Sequence, residues 1–414
     1  MGWGQVIGLL LSLISIKLTT AIGPSEYGHF ILVTSLGGLL TLSLFGPMEQ
    51  GFVRYYFEFS KNDAHRAAYL FMVETVMKKA AAYLGIAAVA GTIAGVMMYG
   101  ESVMFMVSAS LLIIITVIAA PFNGLFNAMK LRKEVSIIQV LEKGLIVIIL
   151  FAVSRFIPMD AGIVMSCVVG AMLVFIVVRV VLYHRQIGQT PSEDERRDIR
   201  IDAWKKIVTY GWPFIIWGWL SWLQFNGERW VINSYLTTVD VGKYGLSASI
   251  VNNSIVMVYG VLIQFMTPSI YGKFASENRT ERMNGYSLIR ITSAATFILF
   301  LLFGVFLYFA GSMVIQLLST KEYIIDTTIL LLLTVGLGLF YVGQTLAMVG
   351  FAMEKPEAYL VPKVLSSVVS VAGYIAGCLW FGLYGIVFAV IIGNSFYLIS
   401  IIIINKRNFT LRMQ

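Results

Sequence analysis

The sequence predicts an all-α polytopic membrane protein of about 12 transmembrane helices in two six-helix pseudo-symmetric bundles, with both termini cytoplasmic. Three observations carry this: the composition, the sidedness of the basic residues and an internal repeat. Of 414 residues, 58% are hydrophobic and 13% charged, and the mean hydropathy is +0.83. A water-soluble domain carries roughly twice that share of charge. At about 20 apolar residues per span, the apolar content of the chain suffices for about twelve crossings.

Apolar runs place the first six spans near residues 4–22, 28–47, 76–99, 102–125, 136–156 and 160–184, and the second six near 208–236, 244–268, 288–318, 326–352, 358–381 and 383–405. The first run lacks a basic leader and a small-residue cleavage site, so it reads as a true helix rather than a signal peptide. The longest polar stretch, QIGQTPSEDERRDIRIDAWKK, follows the sixth span. It divides the chain into a bundle at 1–184, a solvated cytoplasmic linker at 185–206 and a second bundle at 207–414.

With the N-terminus in the cytoplasm, 23 of the 30 Lys and Arg fall on the inner side, including Lys130, Arg132, Lys133, Lys406 and Arg407. Three fall outside (Arg155, Lys243 and Lys321), and four lie within spans (Lys17, Lys143, Arg179 and Arg229). That asymmetry is a topology signal. It also accounts for the net charge of +8 without nucleic acid as a partner.

LTTAIGPSEYG at Leu18–Gly28 is echoed by LTTVDVGKYG at Leu236–Gly245, and NAMKLRKE at Asn127–Glu134 by FAMEKPEA at Phe351–Ala358. The offsets, close to half the chain, indicate two halves. Each has an even number of spans, so the repeats are parallel, an arrangement in which transporters bind substrate between halves. Only 17 residues precede the first Leu-Thr-Thr, whereas an apolar run of about 24 precedes the second, which predicts a shortened N-terminus, checkable by mass spectrometry of the native protein.

Several motifs carry a resemblance: GPSEYG at Gly23–Gly28, Glu228-Arg229 followed by Val241-Gly242-Lys243-Tyr244, and Gly382-Leu383-Tyr384-Gly385 before the last apolar span. The chain resembles the polysaccharide-exporter branch of the multidrug/oligosaccharidyl-lipid/polysaccharide transporters, notably the Wzx-type repeat-unit flippases. It departs from them in lacking a basic segment before the first helix and in having Ser366 and Ser367 where members often carry Asn. The resemblance implies a rocker-switch flippase in a bacterial or archaeal cell membrane. Its cargo would be a polyprenyl-pyrophosphate-linked oligosaccharide, moved from the cytoplasmic to the outer leaflet for O-antigen, capsule or exopolysaccharide assembly. It implies no cofactor and no catalysis, with glycan polymerase or assembly proteins as partners and H+ or Na+ as coupling ion.

Ionisable residues inside a bilayer default to functional candidates unless they snorkel or pair. Arg229, with Glu228 beside it, lies within the seventh span. Its planar fork suits a pyrophosphate or an acidic sugar, and the bland alternatives are snorkelling and a pair with a carboxylate on a neighbouring helix. Glu142 and Lys143 lie deep in the fifth span and point about 100° apart, so at least one needs a partner elsewhere. Functionally, Lys143 would meet an anion and Glu142 a coupling proton; structurally, both would pair or snorkel. Lys17 in the first span is a cavity cation or a snorkelling one. Arg54, following the second helix in GFVRYYFEF, either meets substrate phosphate during loading or anchors the inner face. Arg179 reads as another such anchor.

The seventh helix also carries six of the eight tryptophans. Trp212, Trp219, Trp222 and Asn226 fall within about 80° on a helical projection, a stripe suited to sugar rings, with Trp217, Gln224 and Glu228 opposite. Trp219, Trp222 and Asn226 are therefore candidate sugar contacts, although interfacial belts also enrich Trp. Asn252, Asn253, Gln264 and Gln344 are further polar residues in spans, for which interhelical hydrogen bonding is a sufficient role.

His29, His65 and His184 lie far apart with no metal-ligand spacing, Cys167 and Cys378 are isolated, and no P-loop or nucleophile elbow occurs. Three other functions remain to be weighed. A cation-coupled drug or small-solute exporter should show acidic residues without compensating bases in its spans, and a lipid II exporter is a nearer alternative. A membrane-embedded glycan polymerase or transferase should show a large outer loop, which this chain lacks.

Overall fold

The computed structural model describes residues 2–60, 62–100, 102–187, 193–276, 278–353 and 355–410. These residues are helical nearly throughout, and no strand occurs among them. The elements are α1 (Gly2–Thr20), α2 (Pro24–Leu40), α3 (Gly46–Phe59), α4 (Asp63–Tyr99), α5 (Val103–Ala128), α6 (Arg132–Val153), α7 (Ala161–Ile187), α8 (Glu193–Tyr235), α9 (Thr238–Val251), α10 (Met257–Phe274), α11 (Arg279–Leu318), α12 (Thr327–Ala352) and α13 (Leu360–Ile404). One-turn π-bulges at Thr41–Phe45 and Asn252–Val256 join α2 to α3 and α9 to α10 into two long rods.

Nine helices among the described residues are long and apolar enough to cross a membrane. The long helix α13 turns at Gly382, whose φ of 59° and ψ of −135° are open to glycine alone, so it supplies two crossing segments. The chain is a multi-pass membrane protein. Met97 and Phe309, 80% and 77% exposed, lie on surfaces that hydrocarbon rather than water would cover.

Several helices outrun the bilayer. With 37 residues, α4 is about 55 Å long against a hydrocarbon core of about 30 Å. The loop expected after residue 47 is therefore mostly helix, with α3 reaching Phe59 and α4 starting at Asp63. Hydropathy marks where a helix leaves lipid, not where it ends. Polar side chains start the helices: Asn62, Ser102, Thr237, Asn278 and Asp326 each accept a backbone N–H of the first turn.

The chain forms two compact units: Met1–Ile22 with His29–Trp222, and Gly23–Gly28 with Leu223–Gln414. In the first, Phe52, Tyr69, Leu70, Phe126 and Tyr183 form a core that Ile199, Ala203 and Ile207 of α8 join. Of the expected linker at 185–206, residues 188–192 lie outside the described residues, and from Glu193 the stretch is the start of α8. Burial of every third or fourth residue draws it onto the first unit.

In the second unit, Ile270, Ile289, Phe340, Val349, Tyr359, Tyr397 and Ile401 form the core. Here the two repeat motifs meet. A Cβ on Gly28 would clash with the Thr238 carbonyl, and one on Gly242 with the Pro24 carbonyl. Each glycine lets the first turn of the other motif's helix approach to backbone contact, which is why Gly23–Gly28 packs with the second unit.

Candidate functional site

The second unit holds a cavity of about 260 Å³ lined by Gln224, Phe225, Glu228 and Arg229 of α8, Tyr244, Ala248 and Asn252 from α9 and the adjoining bulge, Leu333, Leu337, Phe340 and Tyr341 of α12, and Val390. Gln224 and Glu228 are one turn apart on the same face of α8, as the helical projection places them. The π-bulge turns Asn252 into the lining, a use of such bulges that recurs at functional sites.

Beside the cavity runs a buried polar chain. Lys363 donates to Gln224 Oε1 at 2.6 Å, Gln224 Nε2 donates to Asn394 Oδ1 at 2.9 Å, and Asn394 Nδ2 donates to the Gly336 carbonyl at 3.0 Å. The Tyr374 hydroxyl donates to the Gln224 carbonyl at 2.6 Å. Lys363 is 1% exposed, and its ammonium lies 5.0 Å from the Phe225 ring centroid and 5.1 Å from that of Phe340. Because Lys only donates, it fixes the Gln224 amide with oxygen toward α13 and nitrogen toward Asn394.

Glu228 and Arg229 differ from that chain. Glu228 is 4% exposed, and its Oε2 has no hydrogen-bond partner; neither does Arg229 Nε. Arg229 Nε lies 4.0 Å from Glu228 Oε1, too far for a hydrogen bond. The residues that carry these two buried polar atoms of opposite demand line one cavity, with Phe225, Phe340 and Tyr341 beside them.

The other candidates are placed elsewhere. In the first unit, Arg179 Nη2 meets Glu142 Oε2 at 2.6 Å, and Arg179 is 4% exposed, so it is a buried partner rather than an anchor at the membrane face. The expectation failed because α6 and α7 pack with these two side chains facing, a long-range fact. Lys143 donates to Ser12 Oγ at 2.8 Å and to the Gly8 carbonyl at 3.3 Å, tying α6 to α1. Lys17 is exposed. Arg54 is exposed on α3, a helix continuing the second span rather than a loop after it.

Trp222 is buried and donates its indole N–H to the Ser35 carbonyl at 2.7 Å, while Trp219 is 46% exposed. Asn226 is half-buried and does not line the cavity. Of α8's two stripes, the one with Trp217, Gln224 and Glu228 supplies cavity residues, Gln224 and Glu228. Lys363 was missed, sorted with the inner-face cations because it stands near the start of its span. A signal existed in its own helix: Lys363, Ser366, Ser367, Ser370 and Tyr374 form a polar stripe at helical spacing, and all are buried.

The family described as polysaccharide biosynthesis protein matches residues 18–325. The chain belongs to that family. Among solved structures, this family member superposes on the lipid II flippase MurJ in an inward closed conformation, with a TM-score of 0.71 and 14% identity over 99% of this chain and 87% of that one. An inward-facing multidrug resistance MATE transporter of the MOP superfamily gives a TM-score of 0.68 at 16% identity, covering 98% and 95%. A MOP superfamily transporter from Pyrococcus furiosus, noted for the reverse polarity of its binding pocket, gives 0.61 at 15% identity, covering 99% and 94%. The polysaccharide biosynthesis protein thus has the fold of MOP superfamily transporters. No curated protein matches it.

Proposed function

We propose that the protein is a flippase that moves a polyprenyl-pyrophosphate-linked oligosaccharide from the cytoplasmic to the outer leaflet of a bacterial or archaeal cell membrane, by alternating access of its two units and with both termini cytoplasmic. The observation that carries this reading is a cavity of charged, amide and aromatic side chains built by the spans of a polysaccharide biosynthesis family member. A glycan headgroup crossing hydrocarbon needs such groups in place of water. The MOP fold supplies a known frame for moving solutes and lipids across membranes, and the enzyme motifs sought in the sequence are missing, so a transporter is the better reading than a polymerase or transferase.

Arg229 and Glu228 are the residues assigned to the cargo. A drug exporter for organic cations is less well supported, because Arg229 and the buried Lys363 accompany Glu228 in the same unit. The test is leaflet translocation in proteoliposomes of a fluorescent polyprenyl-pyrophosphate oligosaccharide, with a labelled organic cation as control cargo. Wild type is expected to move the glycolipid and Arg229→Ala to lose about 10- to 100-fold in rate, as for a lost charge-assisted hydrogen bond. Movement of the organic cation alone would replace the flippase with an exporter.

A further inference from the structure

The cavity of the second unit is specific about which part of such a cargo it can hold. Its lining contains one carboxylate, Glu228, and one guanidinium, Arg229, so its two formal charges cancel. A pyrophosphate only accepts hydrogen bonds; it would satisfy Arg229 Nε but press anionic oxygens against Glu228 Oε2, which needs a donor. An organic cation has the reverse defect. A hydroxyl group donates and accepts at once, so neighbouring hydroxyls can give a proton to Glu228 Oε2 and take one from Arg229 Nε. Both atoms are buried and without a hydrogen-bond partner in the structure. The Phe340 and Tyr341 rings, centroids 5.4 Å apart and inclined at 78°, line the cavity, Phe340 stacked on Tyr397 and Tyr341 on Phe300, and add apolar surface of the kind that the C–H groups of a sugar ring contact.

We infer that this cavity is a monosaccharide subsite, which takes one uncharged sugar ring of the oligosaccharide between the Glu228–Arg229 pair and the Phe340–Tyr341 wall, while the pyrophosphate is bound elsewhere. The inference rests on the flippase reading for its cargo. The volume of about 260 Å³ is sufficient for a single ring. Gln224, held by Lys363 and Asn394, is the positioning residue that fixes the floor of the subsite.

The test uses the full-length protein in nanodiscs, with Cys167 and Cys378 replaced by alanine and Asn252→Cys as reporter; Asn252 is an exposed lining residue. Labelling by a small thiol reagent is timed in the presence of methyl glycosides of galactose, mannose, rhamnose and N-acetylglucosamine, of inorganic pyrophosphate and of tetraphenylphosphonium. At least one glycoside should slow labelling about tenfold at about ten times its Kd, and pyrophosphate and the phosphonium should not. Glu228→Gln and Arg229→Gln should abolish protection when each is compared with its own unliganded labelling rate, and an elution volume and Tm close to those of the reporter protein would show the fold kept. Protection by pyrophosphate alone, by the phosphonium alone or by none of the probes would overturn the subsite. The two readings fail separately: glycolipid translocation without glycoside protection refutes only the subsite, and glycoside protection without glycolipid translocation refutes only the flippase.

Discussion

Each unit contains a glutamate and an arginine within its spans, and the two pairs have opposite fates. In the first unit, Glu142 of α6 and Arg179 of α7 come from separate helices and close to 2.6 Å. In the second, Glu228 and Arg229 are neighbours on α8, and their nearest approach is 4.0 Å. Adjacent residues on a helix point about 100° apart and cannot face one another. The first pair closes as an ion pair, although Arg179 Nη1 is also buried without a hydrogen-bond partner, whereas the second stays apart and lines a cavity. Adjacency alone does not leave a charge available: Glu142 also has an opposite charge, Lys143, beside it, yet closes on Arg179 while Lys143 turns to α1.

The largest effect expected from this contrast is on the first pair. Arg179→Ala leaves Glu142 without its counter-charge, at a cost of about 3–5 kcal/mol. A loss of folded yield and a marked fall in Tm in detergent would show it. Glu142→Gln with Arg179→Gln together should recover much of that loss, since no lone charge remains. If both forms melted alike, the pair would not be the closed structural element described.

At the second pair the effect should move from stability to transport. Glu228→Gln and Arg229→Gln each remove one charge of a pair 4.0 Å apart that makes no hydrogen bond, so Tm should fall less than for Arg179→Ala. Translocation of lipid-linked oligosaccharide should fall about 10- to 100-fold, corresponding to a lost charge-assisted hydrogen bond to cargo of about 1.5–3 kcal/mol. A large drop in Tm for either variant would erase the distinction between the two units.

Much of the fold was legible because lipid imposes one strong rule, that a span be a long apolar helix. Helices stand in the expected order, although among the described residues nine are long and apolar enough to cross and neither α1 nor α8 is one of them; Glu228 and Arg229 stood out as charges in an apolar run. The length of α3 and the helical start of α8 were not legible, since a helix that leaves lipid loses its hydropathy signal and keeps its hydrogen bonds. Lys363 was misplaced for a different reason. Four residues into α13 a lysine can ordinarily reach water, and only Gln224 from α8 and the rings of Phe225 and Phe340 keep it inside. Those partners are more than 20 residues distant in sequence, so nothing local announces them. The tryptophan stripe misled because aromatic residues serve lipid interfaces and sugar sites alike.

Lys363 gives the next test of how the second unit is held. Lys363→Met fills a similar volume but leaves Gln224 Oε1 buried without its donor, costing about 1–3 kcal/mol. The effect should be smaller than at Arg179, because an amide rather than a charge is stranded. Gln224→Leu in the same background should return part of the stability by removing the stranded amide oxygen, which thermal melts of the single and double variants would reveal.

The smallest effect lies at an exposed helix start, where water competes for every bond. Asp326 starts α12: its carboxylate accepts the Thr328 N–H at 2.8 Å and the hydroxyl of Tyr384. First the Tyr384 hydroxyl and then the Thr328 N–H hold its carboxyl below the usual carboxylate range. Its contribution is therefore present above the unfolded pKa of about 4 and is lost as pH falls through the lower folded value. Asp326→Ala should cost about 1 kcal/mol at neutral pH, as for a lost helix cap. The gap between variant and wild type should close as the pH is lowered below 4, whereas the deficit of Lys363→Met should persist there. A gap at Asp326 that stayed constant with pH would mean that the cap acts through shape and not through the charge of its carboxylate.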